Sequence, residues 1–240
     1  MKSGTRGSQL RKNNDSYYVS LADLLIGLIF IFIILLVASA MSYQKAEKRA
    51  QQLQIALDER ADIRLSLLKS IQSDMAAKGI DVRVDERNGV LRLPEHALFA
   101  SGEAVLDSTG EAAVRELGKA LDKRLRCYGF EAGRTGCSDD TAPILEAVYI
   151  EGHTDNVRIA SRRFASNWEL SSARAIATYR ALLEAAPILK GVRNVQNTAT
   201  LVGVSAYADQ RPIGDNTTLP GRRENRRIDL RFLLAPSVTK

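Results

Sequence analysis

The sequence predicts an α+β chain: a single N-terminal transmembrane helix, a helical connector and one βαβαβ-type domain. Three observations carry this expectation. Residues 19–41 form one apolar run, residues 42–78 are rich in Gln, Lys, Glu, Arg and Ala with apolar residues at helical spacing, and beyond Gly79 short β-type runs alternate with helical ones. At 240 residues, the chain has room for one domain of ordinary size besides the membrane segment. The expected boundaries are a tail at 1–18, the span at 19–42, the connector at 43–78, the domain at 79–234 and a tail at 235–240.

The first element is the span. Between residues 19 and 41 only Ser20, Asp23 and Ser39 are polar. About 23 residues at roughly 1.5 Å each cover the ~30 Å hydrocarbon layer. Tyr17, Tyr18 and Tyr43 flank the run, where their rings would sit at the headgroups. A cleavable signal peptide has a shorter apolar core, so the segment is expected to stay. Lys2, Arg6, Arg11 and Lys12 precede the span, against Lys45, Lys48 and Arg49 after it. This small bias favours a cytoplasmic N-terminus.

In the connector, Ala46, Ala50, Leu53, Leu57, Ala61, Leu65, Leu68 and Ile71 recur at three- and four-residue steps. One apolar stripe of this kind makes either a parallel coiled coil, and so a homodimer, or a helix packed on its own domain. The coiled coil is the preferred expectation, because the segment leaves the span directly.

In the domain, Val82, Val84, Val90, Leu91 and Leu93 read as a hairpin around Asn88-Gly89, a strong turn signal. A helix is expected at 108–126, with Ala112, Ala113, Leu117, Ala120 and Leu121 on its apolar face. Then follow a strand at 145–151, a helix at 167–186, a strand at 198–206 and a last strand alternating Ile228, Leu230 and Phe232. Cys127 and Cys137 are the only cysteines, and nothing nearby completes a zinc set. A disulfide in an oxidising compartment is preferred, with two buried thiols as the alternative.

The net charge of +6 is concentrated in the tails and in Arg222, Arg223, Arg226, Arg227 and Arg231, which are interspersed with Glu224 and Asp229. No nucleic-acid-binding motif accompanies it, so nucleic acid is not an expected partner. His153 lies beside Asp155, but two histidines and no nucleophile signature leave an enzyme without its parts, and no metal or cofactor is expected. His153 reads as structural.

Three blocks carry a resemblance: Ile150-Glu-Gly-His-Thr-Asp155-Asn, Asn167-Trp-Glu-Leu-Ser171-Ser-Ala-Arg174-Ala and Gly221-Arg-Arg-Glu-Asn225-Arg-Arg-Ile228. In this order they resemble the OmpA-type peptidoglycan-binding domain, in the version found in MotB, the stator protein of ion-driven motors. The insert at 158–166 and the segment from Val90 to Gly102 resemble it too. The resemblance implies that Asp155 and Arg174 hold the zwitterionic end of diaminopimelate in the wall peptide, with Asn225 and Arg226 lining or bracing the site. The chemistry fits: a carboxylate suits an ammonium group, and a guanidinium forks onto a carboxylate.

Asp23 has two readings. Ser20-x-x-Asp23 is a capping-box pattern, in which the carboxylate only finishes a helix start. Alternatively, an ionisable group in lipid is costly enough to serve as an ion carrier facing other protein, with Gly27 permitting close helix approach. The Ala22-Asp23-Leu24 setting is similar to MotB, which implies the carrier role, transport of an ion such as H+, and a multi-span partner resembling MotA. The aliphatic surroundings without added hydroxyls favour protons over sodium. The short helical connector and the Cys127 to Cys137 insertion are similar to ZorB-type subunits of the Zorya anti-phage defence system, whose partner is of the ZorA type. A flagellar stator subunit and a passive wall anchor are the alternatives.

Overall fold

The computed structural model describes residues 6–130, 137, 143–159 and 161–235, with side chains from residue 18 onward. The first five residues of the N-terminal tail, the cysteine-flanked loop at 131–136 and the C-terminal tail from 236 lie outside the described residues. The chain divides into two units, residues 1–56 and residues 57–240.

The first unit contains most of helix α1, Arg6–Ala76. Every side chain from 18 to 50 is exposed, including the whole apolar run. A helix this long and apolar can cross a membrane, and apolar groups exposed on all sides suit lipid rather than water.

The second unit is a five-stranded sheet with helices against it. Strands β1 (Arg83–Asp85) and β2 (Val90–Pro94) form the expected hairpin. Gly89 adopts φ 64° in its turn, and Asp85 accepts a hydrogen bond from the Asn88 N–H at 3.1 Å. Helix α2 (Ser108–Tyr128) starts where the Asp107 carboxylate accepts from the Gly110 N–H at 2.7 Å. Strand β3 (Leu145–His153) is followed by helix α3 (Asn167–Ala185), whose cap Ser166 accepts from the Glu169 N–H. Then come β4 (Val202–Ala208), a short α4 (Leu219–Asn225) and β5 (Arg227–Leu234).

The sheet order is β1-β2-β5-β3-β4, with only β3 and β4 parallel. Alternation along the central strands divides its two faces. Val148, Ile150, Ile228, Leu230 and Phe232 join Leu117, Leu121 and Leu125 of α2 in one apolar core. The opposite face carries Glu151, His153, Arg227, Asp229 and Arg231, nearly all buried. Cys127 and Cys137 form a disulfide.

One expected boundary is corrected. Leu67, Leu68, Ile71 and Met75, assigned to a separate connector ending at 78, are buried in the domain's own core. The lower half of the apolar stripe is therefore intradomain, because Leu68 and Ile71 find partners in the same chain. The upper half, from Ala46 to Ala61, remains exposed apart from the half-buried Ala56 and Arg60. Gly79, at φ 73°, ends α1 as expected, with the Ile80 N–H donating to the Met75 carbonyl. Helix α4 was not foreseen, and neither were the short 3-10 helices Glu95–Ala97 and Pro187–Lys190.

Candidate functional site

Strand register assembles the site at one end of the sheet. Arg227 pairs with Pro94 of β2 on one side and with His153 of β3 on the other. The residue just past β2, Glu95, thus meets the residue just before β5, Arg226, and the Glu95 N–H donates to the Arg226 carbonyl at 3.0 Å. Asp155 arrives from the end of β3. Helix α3 supplies Arg174, and its depth is set at Gly152: a Cβ there would lie 2.1 Å from the Ser171 carbonyl oxygen. Ser171 Oγ also accepts from the Ala208 N–H, which ties α3 to the end of β4.

Four charged groups converge. Arg226 Nη1 donates to Asp155 Oδ2 at 2.6 Å and its Nε donates to Glu95 Oε2 at 2.5 Å. Arg174 pairs through Nη2 with Glu95 Oε1, donates from Nε to the Glu103 carbonyl at 2.7 Å, and lies 5.5 Å from the Phe99 ring centroid. Asp155 Oδ1 accepts from the Val157 N–H at 3.0 Å. Burial lowers the Arg174 pKa against the pull of Glu95, while for Arg226 the two carboxylates outweigh burial and raise it. Both arginines stay charged, since guanidinium titrates far above neutrality.

These side chains line a cleft of about 360 Å³, together with Arg158, Ile159, Asn167 and Arg222. Of the expected residues, Asp155, Arg174 and Arg226 are brought together there. Arg174 is only 1% exposed, so its guanidinium is committed to Glu95 and Glu103, whereas Arg226 is the more open of the two. Asn225 braces rather than lines. It is fully buried, its Oδ1 accepts from the Ile213 and Gly214 N–H groups, and its Nδ2 donates to the Gly214 carbonyl and to Asn216 Oδ1. Asn167 clamps the insert by donating to the Asp155 and Val157 carbonyls and accepting from the Ile159 N–H.

Glu95 was not expected, nor were Arg158 and Arg222. The available signal for Glu95 was its place directly after Pro94, the end of an expected strand.

His153 lies on the polar sheet face, stacked on Tyr207, with Nε2 3.8 Å from Glu151 Oε2 and 3.5 Å from Asp229 Oδ2. Burial lowers its pKa despite these acids. For Glu151, burial pushes the pKa up, but His153 and Arg231 together hold it below the ordinary value. Donor atoms of Glu151, His153 and Asp229 lie within 4.8 Å of one another, the composition of a metal site. Arg227 donates to both Asp229 oxygens and Arg231 to Glu151 Oε1, so a cation there would face two guanidinium groups holding the same carboxylates.

Comparison with known proteins agrees with this architecture. Residues 140–226 match the model of the OmpA family. The uncharacterised protein YtxE of Bacillus subtilis is 28% identical over 246 residues, covering 91% of this chain and 88% of its own. Motility protein B of the same organism is 22% identical, covering 92% and 91%. A MotB-like protein from Desulfovibrio vulgaris shares the fold, with TM-score 0.54 and 22% identity over 76% of this chain and 99% of that one. The chain therefore combines a long N-terminal apolar helix with an OmpA-like C-terminal domain of MotB-like fold.

Proposed function

We propose that the chain is the peptidoglycan-anchored stator subunit of an ion-driven membrane motor. Its N-terminus is cytoplasmic, its domain periplasmic, and the cleft around Asp155, Arg174 and Arg226 holds the free end of diaminopimelate in a stem peptide. Asp23 carries the transported ion, a proton, in a pathway completed by a MotA-like multi-span partner. The reading rests chiefly on one observation: a single chain joins an apolar span bearing one carboxylate to a cleft where two buried acids and two arginines meet. The similarity to Motility protein B over 92% of the chain supports it.

Each charge crossing the membrane supplies about 2.3 kcal/mol per 100 mV. Fixing one subunit to the wall lets that energy turn its partner. Gly27, where an added Cβ would meet nothing within 4 Å, leaves room for an approaching helix, and the exposed stripe from Ala46 to Ala61 provides a homodimer seam.

The Cys127–Cys137 bridge and the short connector favour service in Zorya-type anti-phage defence with a ZorA-like partner. Likeness to Motility protein B favours the second reading, a motility stator. In cells holding the partner, Asp23→Asn is expected to abolish phage protection, or swimming, while peptidoglycan pull-down persists. Asp155→Ala is expected to abolish the pull-down. Full activity in Asp23→Asn refutes the carrier role, and retained wall binding in Asp155→Ala refutes the site.

A further inference from the structure

The cleft holds more positive charge than its own acids answer. Its lining carries four guanidinium groups, Arg158, Arg174, Arg222 and Arg226, against two carboxylates, Glu95 and Asp155. Those two acids are engaged by Arg174 and Arg226. Among the described residues, Arg222 donates from Nη1 to the Asn216 carbonyl at 2.8 Å and meets no carboxylate, and Arg158 has no partner. Arg158 is exposed and Arg222 half-buried.

A zwitterionic amino-acid head group brings no net charge, so seating it between Asp155 and the Arg174/Arg226 pair leaves both surplus guanidinium groups unanswered. Arginine donors in a partly desolvated cleft recognise carboxylates through charge-assisted, often bidentate hydrogen bonds. We propose that Arg158 and Arg222 bind a second free carboxylate on the same peptide, so that the cleft selects stem peptides with unamidated carboxyl groups. This deepens the wall-binding reading and rests on it. Arg158 lies in the loop clamped by Asn167, and Arg222 on α4 beside the loop braced by Asn225, so both cations stand on tethered segments.

The test uses the full chain in detergent and two synthetic peptides, L-alanyl-γ-D-glutamyl-meso-diaminopimelate and the same peptide amidated at every carboxyl outside the head group. Calorimetry on the wild type is expected to show about tenfold tighter binding of the free acid, with the ratio shrinking at high salt. Arg158→Gln is expected to reduce the ratio to about threefold, and Arg158→Gln/Arg222→Gln to about one. Equal binding of the two peptides by the wild type overturns this inference alone, as does an unchanged ratio in Arg158→Gln. Inorganic phosphate binding as tightly as the free acid also overturns it, since the cleft would then read charge and not carboxylate geometry. Failure of the wild type to bind either peptide overturns the wall-binding reading itself.

Discussion

Glu95 is the acid that Arg174 and Arg226 share, and removing it tests the electrostatics of the site directly. In Glu95→Ala, Arg226 keeps Asp155, but Arg174 loses its only ion-pair partner among the described residues while remaining 1% exposed. Stranding one member of a buried pair costs about 3–5 kcal/mol. The Glu103 carbonyl and the Phe99 ring still face Arg174, which puts the expected loss near the lower end, about 3 kcal/mol. For a domain of this size each kcal/mol lowers the melting midpoint by roughly 2–4 °C, so Glu95→Ala is expected to melt roughly 6–12 °C below the wild type. Glu95→Gln keeps the shape and one acceptor and is expected to fall between them. The single tryptophan, Trp168, sits in the first turn of α3 and reports locally by fluorescence during heating of the detergent-solubilised chain. A Glu95→Ala midpoint within 2 °C of the wild type would show that Arg174 does not need this partner.

Two further outcomes follow from the fold. The Cys127–Cys137 bridge closes a loop of sequence separation 10, for which chain-entropy reasoning gives about 2–3 kcal/mol. Cys127→Ser/Cys137→Ser is expected to unfold at correspondingly lower urea and to ignore reductant, whereas the wild type should fall to its level when reduced; identical midpoints would contradict this. Burial holds the His153 pKa below 6.5 in the folded domain. As the pH falls through 6.5, the unfolded chain takes up a proton that the folded state declines, so stability drops toward acid until the folded-state pKa is reached, by at most about 1.4 kcal/mol per pH unit. Urea midpoints at pH 7.5 and 5.5 should converge in His153→Gln relative to the wild type, and equal slopes in both would rule His153 out as the source.

Local signals made much of the domain legible. Asn88-Gly89 between alternating apolar residues announced the hairpin, and of the expected α2 face Ala113, Leu117, Ala120 and Leu121 are buried, while Ala112 is exposed. Helix α4 was not legible, because only Gly221 and Asn225 of its seven residues are buried and it has no apolar stripe. The connector stripe was visible, but which surface covers it depends on the fold, and Leu68 and Ile71 went to the domain's own core. The motif blocks pointed to Asp155, Arg174 and Arg226, and the fold brings these three side chains to one cleft. Glu95 escaped because an acid after a strand looks solvated; only the register of β2 against β5 buries it beside arginines distant in sequence.

The position of β3 governs how the domain would meet a pull. Asp155 lies two residues past the end of β3, an inner strand hydrogen-bonded to β4 on one side and to β5 on the other. Tension applied at the cleft along β3 enters the sheet in shear, spread over two ladders rather than unzipping one bond at a time. Arg226 would pass the same load into β5, the neighbour of β3, so the Asp155–Arg226 ion pair and the two inner strands form one tensile line.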